Sequence, residues 1–180
     1  MNQPVKFKNF KHLIRKNNPT ILEIGSHTGS DTVRLLQAFN EAKIYCFEPN
    51  PRVVSLFKKY INSDNVLLEQ IAIFDEDIEE KEFFISHETM EEDYFVKNKK
   101  SILRCEYCYS FTKDDFFKFK LNRSAASSLK RGYVSIDNTE SVKVRCMKLD
   151  TWAEKSNVYE VDLLWIDVQG AEKNVIDGAK

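Results

Sequence analysis

Short apolar runs alternate with amphipathic segments along the first half of the chain. Buried strands are predicted in TILEIG (20–25), KIYCFEPNP (43–51) and VLLEQIAIF (66–74). Helices are predicted between them, from residue 30 to about residue 39 and over PRVVSLFKKYIN (51–62), whose leading proline suits a first helical turn. Strand and helix in this alternation are typical of an α/β protein with a parallel sheet and right-handed crossovers.

The second half of the chain has fewer clear periods. KEFFIS (81–86) and VKVRCMKL (142–149) alternate between polar and apolar positions, which predicts two further strands. A polar helical turn is predicted around residues 150 to 156. VDLLWIDV (161–168) is an apolar run typical of a strand buried on both faces, and GAEKNVIDGAK (170–180) begins like a helix.

At the N-terminus, residues 1–18 are predicted to form an amphipathic helix. One helical face carries the apolar side chains of Phe7, Phe10, Leu13 and Ile14. We expect this face to dock on the domain, and binding to a membrane surface is the less favoured alternative.

Composition and charge narrow the class of protein. With 180 residues, 42% of them hydrophobic and 31% charged, the chain is expected to form a single globular domain over 1–180. The 27 basic and 28 acidic residues leave a net charge of -1, so no nucleic-acid partner is expected. Residues 75–93 are acidic and 97–131 are rich in Lys and Arg, and both are predicted to be solvated surface on hairpins and loops.

Targeting signals are not visible in the sequence. No run approaches the roughly 20 apolar residues that a membrane helix needs, so no membrane span is expected. The first residues contain no apolar core of a secretory signal, and the chain has 4 cysteines. We therefore expect free thiols and a cytoplasmic location.

The turn after the first strand carries the pattern acidic-x-Gly-x-x-x-Gly, from Glu23 to Gly29. It lacks the spacing of a dinucleotide fingerprint and the lysine of a phosphate loop. A wider turn with an acidic residue before Gly25 suits a zwitterionic amino-acid tail better than a diphosphate. The alternative is that the two glycines only allow a tight turn from strand to helix.

The tips of the next two strands carry a second set of candidate ligands. Glu48 ends the second strand, where a carboxylate can accept two hydrogen bonds from a ribose diol. Ala72 and Asp75, at the tip of the third strand, would lie over an adenine ring, with Asp75 or a backbone group near its amino group. Together these positions predict an adenosyl ligand across the strand tips, although the third strand is explained equally well as ordinary core.

The sequence resembles the FkbM family of S-adenosylmethionine-dependent methyltransferases over roughly residues 18 to 180. The matching segments are EIGSHTGSD, YCFEPNP, EQIAIFDED, SAASSL (124–129), VRCMKLDTWAE (144–154) and VDLLWIDVQGAEKNVIDGAK (161–180). The resemblance implies a class I, Rossmann-like methyltransferase sheet with helices on both faces. It also implies S-adenosylmethionine as cofactor and O-methylation of a sugar, glycan or small-molecule hydroxyl.

Carried over by position, the resemblance assigns most of the cofactor site. The residues expected around the methionine part of the cofactor are Glu23, Gly25, Ser26, His27 and Gly29, with Glu48 at the ribose. Trp165 and Gln169 stand where the family often has a lysine and an acid. Residues 87–123 have no family counterpart and are expected to be an irregular, β-rich insertion.

Two acidic residues are the candidates for catalysis. Asp167, at the end of the strand LLWIDV, is expected to point toward the transferred methyl group, and Glu172 lies in the first turn of the following helix. We expect one of them to orient or deprotonate the acceptor hydroxyl. The alternative is structural, with Asp167 capping the helix and Glu172 satisfying its first amides.

The remaining candidate residues are the histidines, two cysteines and a hydroxyl-rich run. His12, His27 and His87 show no metal-ligand spacing, and Cys105 and Cys108 form a C-x-x-C without a second ligand pair, so no metal is expected. The hydroxyl-rich RSAASSL (123–129) faces a polar acceptor or is a solvated loop.

Three alternative functions stay open at this point. They are a non-catalytic remnant that binds cofactor or a partner protein, a nicotinamide oxidoreductase, and an RNA methyltransferase. In the family fold the sheet continues past the fourth strand, whereas this chain stops one short helix later. If nothing follows Lys180, we expect a dimer contact or a partner to cover an apolar edge, or the domain to be truncated.

Overall fold

The computed structural model describes residues 7–88, 90–103, 107–122, 124–130 and 140–180. The strands are β1 (Thr20–Ile24), β2 (Lys43–Phe47), β3 (Val66–Glu69), β4 (Ala72–Ile73), β5 (Ile78–Ile85), β6 (Glu140–Met147) and β7 (Leu163–Ile166). The helices are α1 (Ser30–Ala38), α2 (Pro51–Tyr60), α3 (Glu92–Leu103), α4 (Lys113–Lys118), α5 (Leu149–Ser156) and α6 (Glu172–Asp177).

The central sheet is parallel, with the strand order β3-β2-β1-β7. Ile24 at the end of β1 pairs with Phe47 on one side and with Ile166 on the other. The chain steps outward from β1 through β2 to β3, and β7 returns to the opposite side of β1. This arrangement confirms the predicted α/β fold and places a topological switch point, where such sheets bind ligands, at the end of β1.

Helices cover both faces of the sheet, as the sequence predicts. On one face Ile21 and Ile44 pack with Leu35 and Phe57, which belong to α1 and α2. Side chains alternate along each strand, so the neighbouring positions point to the other face.

The second face is built around a tryptophan. Leu22 and Phe47 pack there with Trp152 of α5 and Val175 of α6. The Trp152 ring meets Tyr45 and Phe47 edge-on, at centroid distances of 5.0 and 4.8 Å. Edge-to-face contacts of this kind are a favourable arrangement for aromatic rings in a core.

The predicted third strand, 66–74, is two strands in two sheets. β3 pairs with β2 at the edge of the central sheet, whereas β4 pairs with β6 in a second sheet of order β4-β6-β5. The amide of Phe74 donates to the carbonyl of Met147, so the chain leaves the central sheet after Glu69 to join β6. The apolar run was predicted as one strand because both parts are apolar.

The second sheet confirms the two strands predicted from alternation. β5 and β6 run antiparallel, with Phe83 opposite Val142 and Ile85 opposite Glu140. Their inner side chains form a separate apolar cluster that includes Phe83 and Val144.

β7 is less buried than the sequence predicts, since a strand buried on both faces was expected. Its four residues are half-buried, because within the described ranges β1 is the strand that pairs with it. Trp165 is covered by Phe7, whose ring lies edge-on at 4.7 Å.

The prediction of a helix over residues 1–18 is wrong for those residues that the structure describes. Residues 1–6 lie outside the described ranges, Phe7–Phe10 is one 3-10 turn, and residues 11–18 form turns and irregular chain. Only part of the expected face is buried: Phe7 is 3% exposed, but Leu13 is 67% exposed. The segment is instead held along the sheet edge, where Lys16 bonds Asp162 at 3.2 Å.

The segment 87–123, which was expected to be a β-rich insertion, is helical where it is described. It contains α3, a 3-10 turn (Tyr107–Ser110) and α4, with no strand among its described residues. Its aromatic side chains pack on α2. The prediction of hairpins and loops rested on the charge pattern, which does not show that these aromatic side chains are buried against a helix. Cys105 and the side chain of Cys108 lie outside the described part of the chain, so the C-x-x-C prediction stays a prediction.

No helix within the described ranges is both long enough and apolar enough to cross a bilayer.

The packing of α1 on the central sheet can be tested by substitution. Leu35 is fully buried, at 0% exposure, and lies in the cluster with Ile21 and Phe57. We expect Leu35→Ala to lower the free energy of unfolding by about 2–5 kcal/mol, because it opens a cavity in a packed core. Urea denaturation measures the change. Leu13→Ala removes the same side chain from an exposed position and should alter stability by less than about 0.5 kcal/mol.

Candidate functional site

A cleft with about 640 Å³ of empty space lies at the carboxyl ends of β1, β2 and β7. Part of this space is open to solvent, so the site is a cleft and not an enclosed cavity. Of the residues predicted for the site, the cleft is lined by Gly25, His27, Glu48, Ala72 and Asp167. The position agrees with the general rule for ligands of open parallel sheets.

The loop after β1 has an unusual backbone. Gly25, His27 and Gly29 have φ angles of 89°, 50° and 88°. At Gly25 a side chain is impossible without movement of β7, because its Cβ would lie 2.0 Å from the carbonyl oxygen of Asp167. The amides of Gly25 and Ser26 both donate to the carbonyl of Phe47, at 2.9 and 3.1 Å.

Glu48 occupies the floor of the cleft at the tip of β2. One carboxylate oxygen accepts from the amide of His27 and the other from the amide of Asn50, both at 2.8 Å. Glu48 is only 5% exposed, and this burial raises its pKa to about 7 although the two amides oppose the shift. Each oxygen keeps a lone pair beyond these bonds, so the carboxylate can still accept from a ligand.

His27 lines the cleft in the neutral form. Burial lowers its pKa to about 4. Its Nε2 lies 2.8 Å from Oγ of Ser124, and that hydroxyl is 2.9 Å from the carbonyl of Leu121. The hydroxyl has one proton and the carbonyl can only accept it, so Nε2–H of His27 must donate to Ser124. The ring nitrogen Nδ1 is therefore the acceptor.

Glu23 does not reach the cleft. Its carboxylate is 1% exposed and accepts from Oγ1 of Thr32 at 2.6 Å and from Sγ of Cys46 at 3.5 Å. Burial raises its pKa to about 8, so the group is protonated at neutral pH. Glu23 therefore joins β1 to α1 and β2 beneath the loop.

Ser26 and Gly29 also lie outside the cleft lining. Gly29 packs toward α2, since a Cβ there would lie 2.1 Å from Cδ1 of Ile61 and 3.0 Å from the ring of Phe57. The Oγ of Ser26 is buried without a hydrogen-bond partner among the described residues. Their part in the site is to shape the loop.

Ala72 and Asp75, both expected at the tip of the third strand, lie in different places. Ala72 lines an apolar end of the cleft with Ile71, Ile73 and Phe83. Asp75 lies outside the lining, and one of its oxygens accepts from Nδ2 of Asn174 in α6 at 2.8 Å. Asp75 follows β4, in the turn that leads to β5, and faces α6.

Asp167 stands at the mouth of the cleft on the tip of β7. Partial burial, with the nearby charges of Asp31 and Glu172, raises its pKa, although a hydrogen bond from Gln169 opposes the shift. The carboxylate is thus both reachable and a stronger base than an ordinary aspartate.

Glu172 organises the loop that follows β7. Its carboxylate accepts from the amide of Gly170 at 3.0 Å and from that of Val168 at 3.3 Å. Burial opposes its ionisation, but these backbone bonds outweigh burial and lower its pKa. It does not line the cleft, so the geometry fits the structural alternative for this residue.

Several lining residues were not predicted as site residues. They include Asn50, Phe83 and Gln169, together with Ser124, Ala125, Ser127 and Leu129 of the hydroxyl-rich run 123–129. The hydroxyl groups of that run are the sequence signal for it. Its serines bond protein groups, as when Oγ of Ser128 donates to the carbonyl of Gln169 at 2.8 Å. Phe83 carried no signal, because nothing local shows that an apolar side chain borders a cleft.

No group of three or more His, Cys, Asp or Glu side chains in the described ranges is arranged to hold a metal ion.

Comparison with known proteins agrees with this geometry. A family model described as the Methyltransferase FkbM domain matches residues 23–180. The chain is 30% identical over 173 residues to the 2-O-methyltransferase NoeI of Sinorhizobium fredii (strain NBRC 101917 / NGR234). That alignment covers 93% of this chain, which spans 60% of the length of that relative.

A solved structure is similar in fold. The crystal structure of methyltransferase FkbM from Methylobacillus flagellatus KT aligns with 99% of this chain and 34% of its own, with a TM-score of 0.50. At 8% sequence identity this likeness concerns the fold alone. The family model, however, matches most of the sequence, including the loop after β1 and the tip of β7. The chain belongs to the FkbM methyltransferase family.

Proposed function

We propose that the chain is an S-adenosylmethionine-dependent O-methyltransferase that acts on a hydroxyl of a sugar, glycan or other small molecule. The observation that carries the proposal is the pair of carboxylates in one cleft. Glu48 is buried at the tip of β2, and Asp167 is exposed at the tip of β7.

The cofactor half of the cleft suits an adenosyl group. Glu48 has lone pairs left to accept from a ribose diol, as carboxylates at this position of nucleoside-binding sheets do. The end of the cleft formed by Ile71, Ala72 and Phe83 is apolar and suits an aromatic base. Gly25 and His27, between the two carboxylates, would border the amino-acid part.

The acceptor half needs little covalent chemistry from the protein. S-adenosylmethionine supplies a methyl group that its sulfonium already activates. A hydroxyl is a weak nucleophile until its proton leaves, and the raised pKa of Asp167 suits it to accept that proton. Gln169 donates to the same carboxylate and keeps it oriented.

A hydroxyl-bearing acceptor fits the rest of the lining. Ser127 and Gln169 are polar residues of the cleft lining, and Gln169 bonds Asp167. The relative NoeI is named a 2-O-methyltransferase, which supports oxygen as the methyl acceptor. The acceptor class remains part of the proposal.

We expect the affinity for S-adenosylhomocysteine to depend on Glu48 and on pH. Glu48→Gln removes a charged acceptor and should weaken binding by about 10- to 100-fold at pH 8. In the wild type the pKa of Glu48 is about 7. Because the carboxylate form accepts from the ribose, affinity should be constant at high pH and fall as pH drops through this value. Isothermal titration calorimetry between pH 6 and 8.5 measures both effects.

Glu23→Gln is the matched control for this experiment. The same change is made at a second buried glutamate, which is protonated at neutral pH and faces α1. It should leave affinity within about twofold of the wild type. Equal losses in both variants, or an unchanged pH profile in Glu48→Gln, would exclude Glu48 as the ribose acceptor.

Turnover should depend on Asp167. Asp167→Asn keeps the side-chain shape but cannot take up the proton, so we expect kcat to fall by about 100-fold or more. Transfer of labelled methyl to a panel of methyl glycosides measures the rate, and calorimetry with S-adenosylhomocysteine shows whether the cleft is intact. Asp177→Asn, on the exposed side of α6, should retain full activity.

Two outcomes would count against the proposal. Unchanged turnover in Asp167→Asn with normal binding would remove the proposed base. Wild-type protein that binds S-adenosylhomocysteine but methylates no hydroxyl compound would favour a non-catalytic cofactor-binding protein.

A further inference from the structure

The helical insertion forms a small core of its own on α2. Here "helical insertion" means residues 90–103 and 107–122, which include α3, the 3-10 turn and α4. Phe95, Phe111 and Phe116 are almost fully buried and pack on Leu56. The Phe95 and Phe116 rings lie 4.4 Å apart. This cluster holds the insertion beside the methyltransferase sheet.

A buried aspartate also attaches the helical insertion to α2, through hydrogen bonds. Asp115 is 5% exposed and accepts from Nζ of Lys59 at 2.8 Å and from Oη of Tyr60 at 2.5 Å. Burial opposes its ionisation, but these bonds outweigh burial and hold its pKa well below the usual range. Thr112 and Asp115 also form a capping box that begins α4. The insertion is thus attached to α2 by both packing and charge.

From this anchored position the insertion reaches the loop after β1. Oη of Tyr107 donates to the carbonyl of Thr28 at 2.9 Å. The Tyr107 ring is held edge-on by Phe111 at 5.2 Å and by Tyr60 at 6.5 Å. Thr28 is 4% exposed, so this bond is shielded from water. Shortly after the insertion, Ser124 accepts from His27 of the same loop.

The loop after β1 includes a backbone conformation that needs support from neighbouring groups. His27 is a non-glycine residue at φ 50°, a conformation that persists where the surroundings enforce it. On the inner side, the carbonyl of Phe47 and the carboxylate of Glu48 bind the amides at positions 25 to 27. On the outer side, the contacts come from Tyr107 and Ser124.

We propose that Tyr107 is a positioning residue for the cofactor loop. Through it the helical insertion holds residues 25–29 in the shape that binds S-adenosylmethionine. Tyr107 itself does not line the cleft, so it acts through Thr28 and not by touching the ligand. This inference rests on the proposed function, since it names a control on the affinity of the same site.

Tyr107→Phe tests the proposal because it removes the hydroxyl and keeps the ring. We expect the amides of Ser26, His27 and Gly29 to exchange with deuterium faster in the ligand-free variant. We also expect the dissociation constant of S-adenosylhomocysteine to rise about threefold to tenfold, the usual effect of one lost hydrogen bond. Hydrogen exchange and calorimetry measure these changes.

Tyr60→Phe is the matched control within the same aromatic cluster. Its hydroxyl bonds Asp115 and lies 3.3 Å from the carbonyl of Ser110, but it does not bond the loop after β1. Its removal therefore loosens α4 and the end of the 3-10 turn without touching Thr28. We expect a lower melting temperature, with loop exchange and ligand affinity within about twofold of the wild type.

The outcomes separate this inference from the proposed function. Loop amides that exchange in Tyr107→Phe as in the wild type would overturn the positioning role, whatever the protein binds. Equal effects in Tyr60→Phe would overturn it as well, since general packing would then explain them. Failure of the wild type to bind S-adenosylhomocysteine would refute the cofactor assignment, and with it the claim that Tyr107 controls that affinity.

Discussion

The contact between Gly25 and the backbone of Asp167 sets the geometry on which the site depends. A Cβ at position 25 would lie 2.0 Å from the Asp167 carbonyl oxygen, so only glycine allows β1 and β7 to end this close together. The amide of Asp167 donates to the carbonyl of Ile24 at 2.9 Å and continues the ladder to the strand tips. The loop proposed to border the cofactor and the carboxylate proposed for catalysis are therefore held at one fixed separation.

Around this contact the acidic groups have different environments and different tasks. Glu23 and Glu48 are both buried, yet Glu23 bonds protein groups beneath the loop while Glu48 faces the cleft. Glu172 bonds backbone amides after β7 and leaves Asp167 as the reachable carboxylate. Residue type alone does not distinguish a structural acid from a ligand-binding one. What distinguishes them here is whether the side chain borders the cleft: Glu48 does, although both of its oxygens also accept backbone amides, and Glu23 does not.

Much of the fold could be predicted from local pattern. Alternating apolar runs and amphipathic segments predicted β1, α1, β2 and α2, because burial on two faces of a parallel sheet leaves that pattern in the chain. The N-terminal helix and the β-rich insertion were predicted wrongly. In both segments the conformation follows from distant partners: Phe7 packs on Trp165, and Phe95 packs on Leu56. Local periodicity carries no information about such partners.

The sequence by itself determined the α/β class, the resemblance to the FkbM family and the cleft-lining residues Gly25, His27, Glu48, Ala72 and Asp167, since each belongs to a motif at a strand tip. Only the tertiary structure decided that the other candidate site residues lie off the cleft: Glu23, Ser26, Gly29, Asp75 and Glu172. It also decided that Ser124 and Tyr107 reach the loop from residues far along the chain. The physical reason is that a strand tip is a local feature, whereas the direction of a side chain and its hydrogen-bond partner depend on which segments meet there.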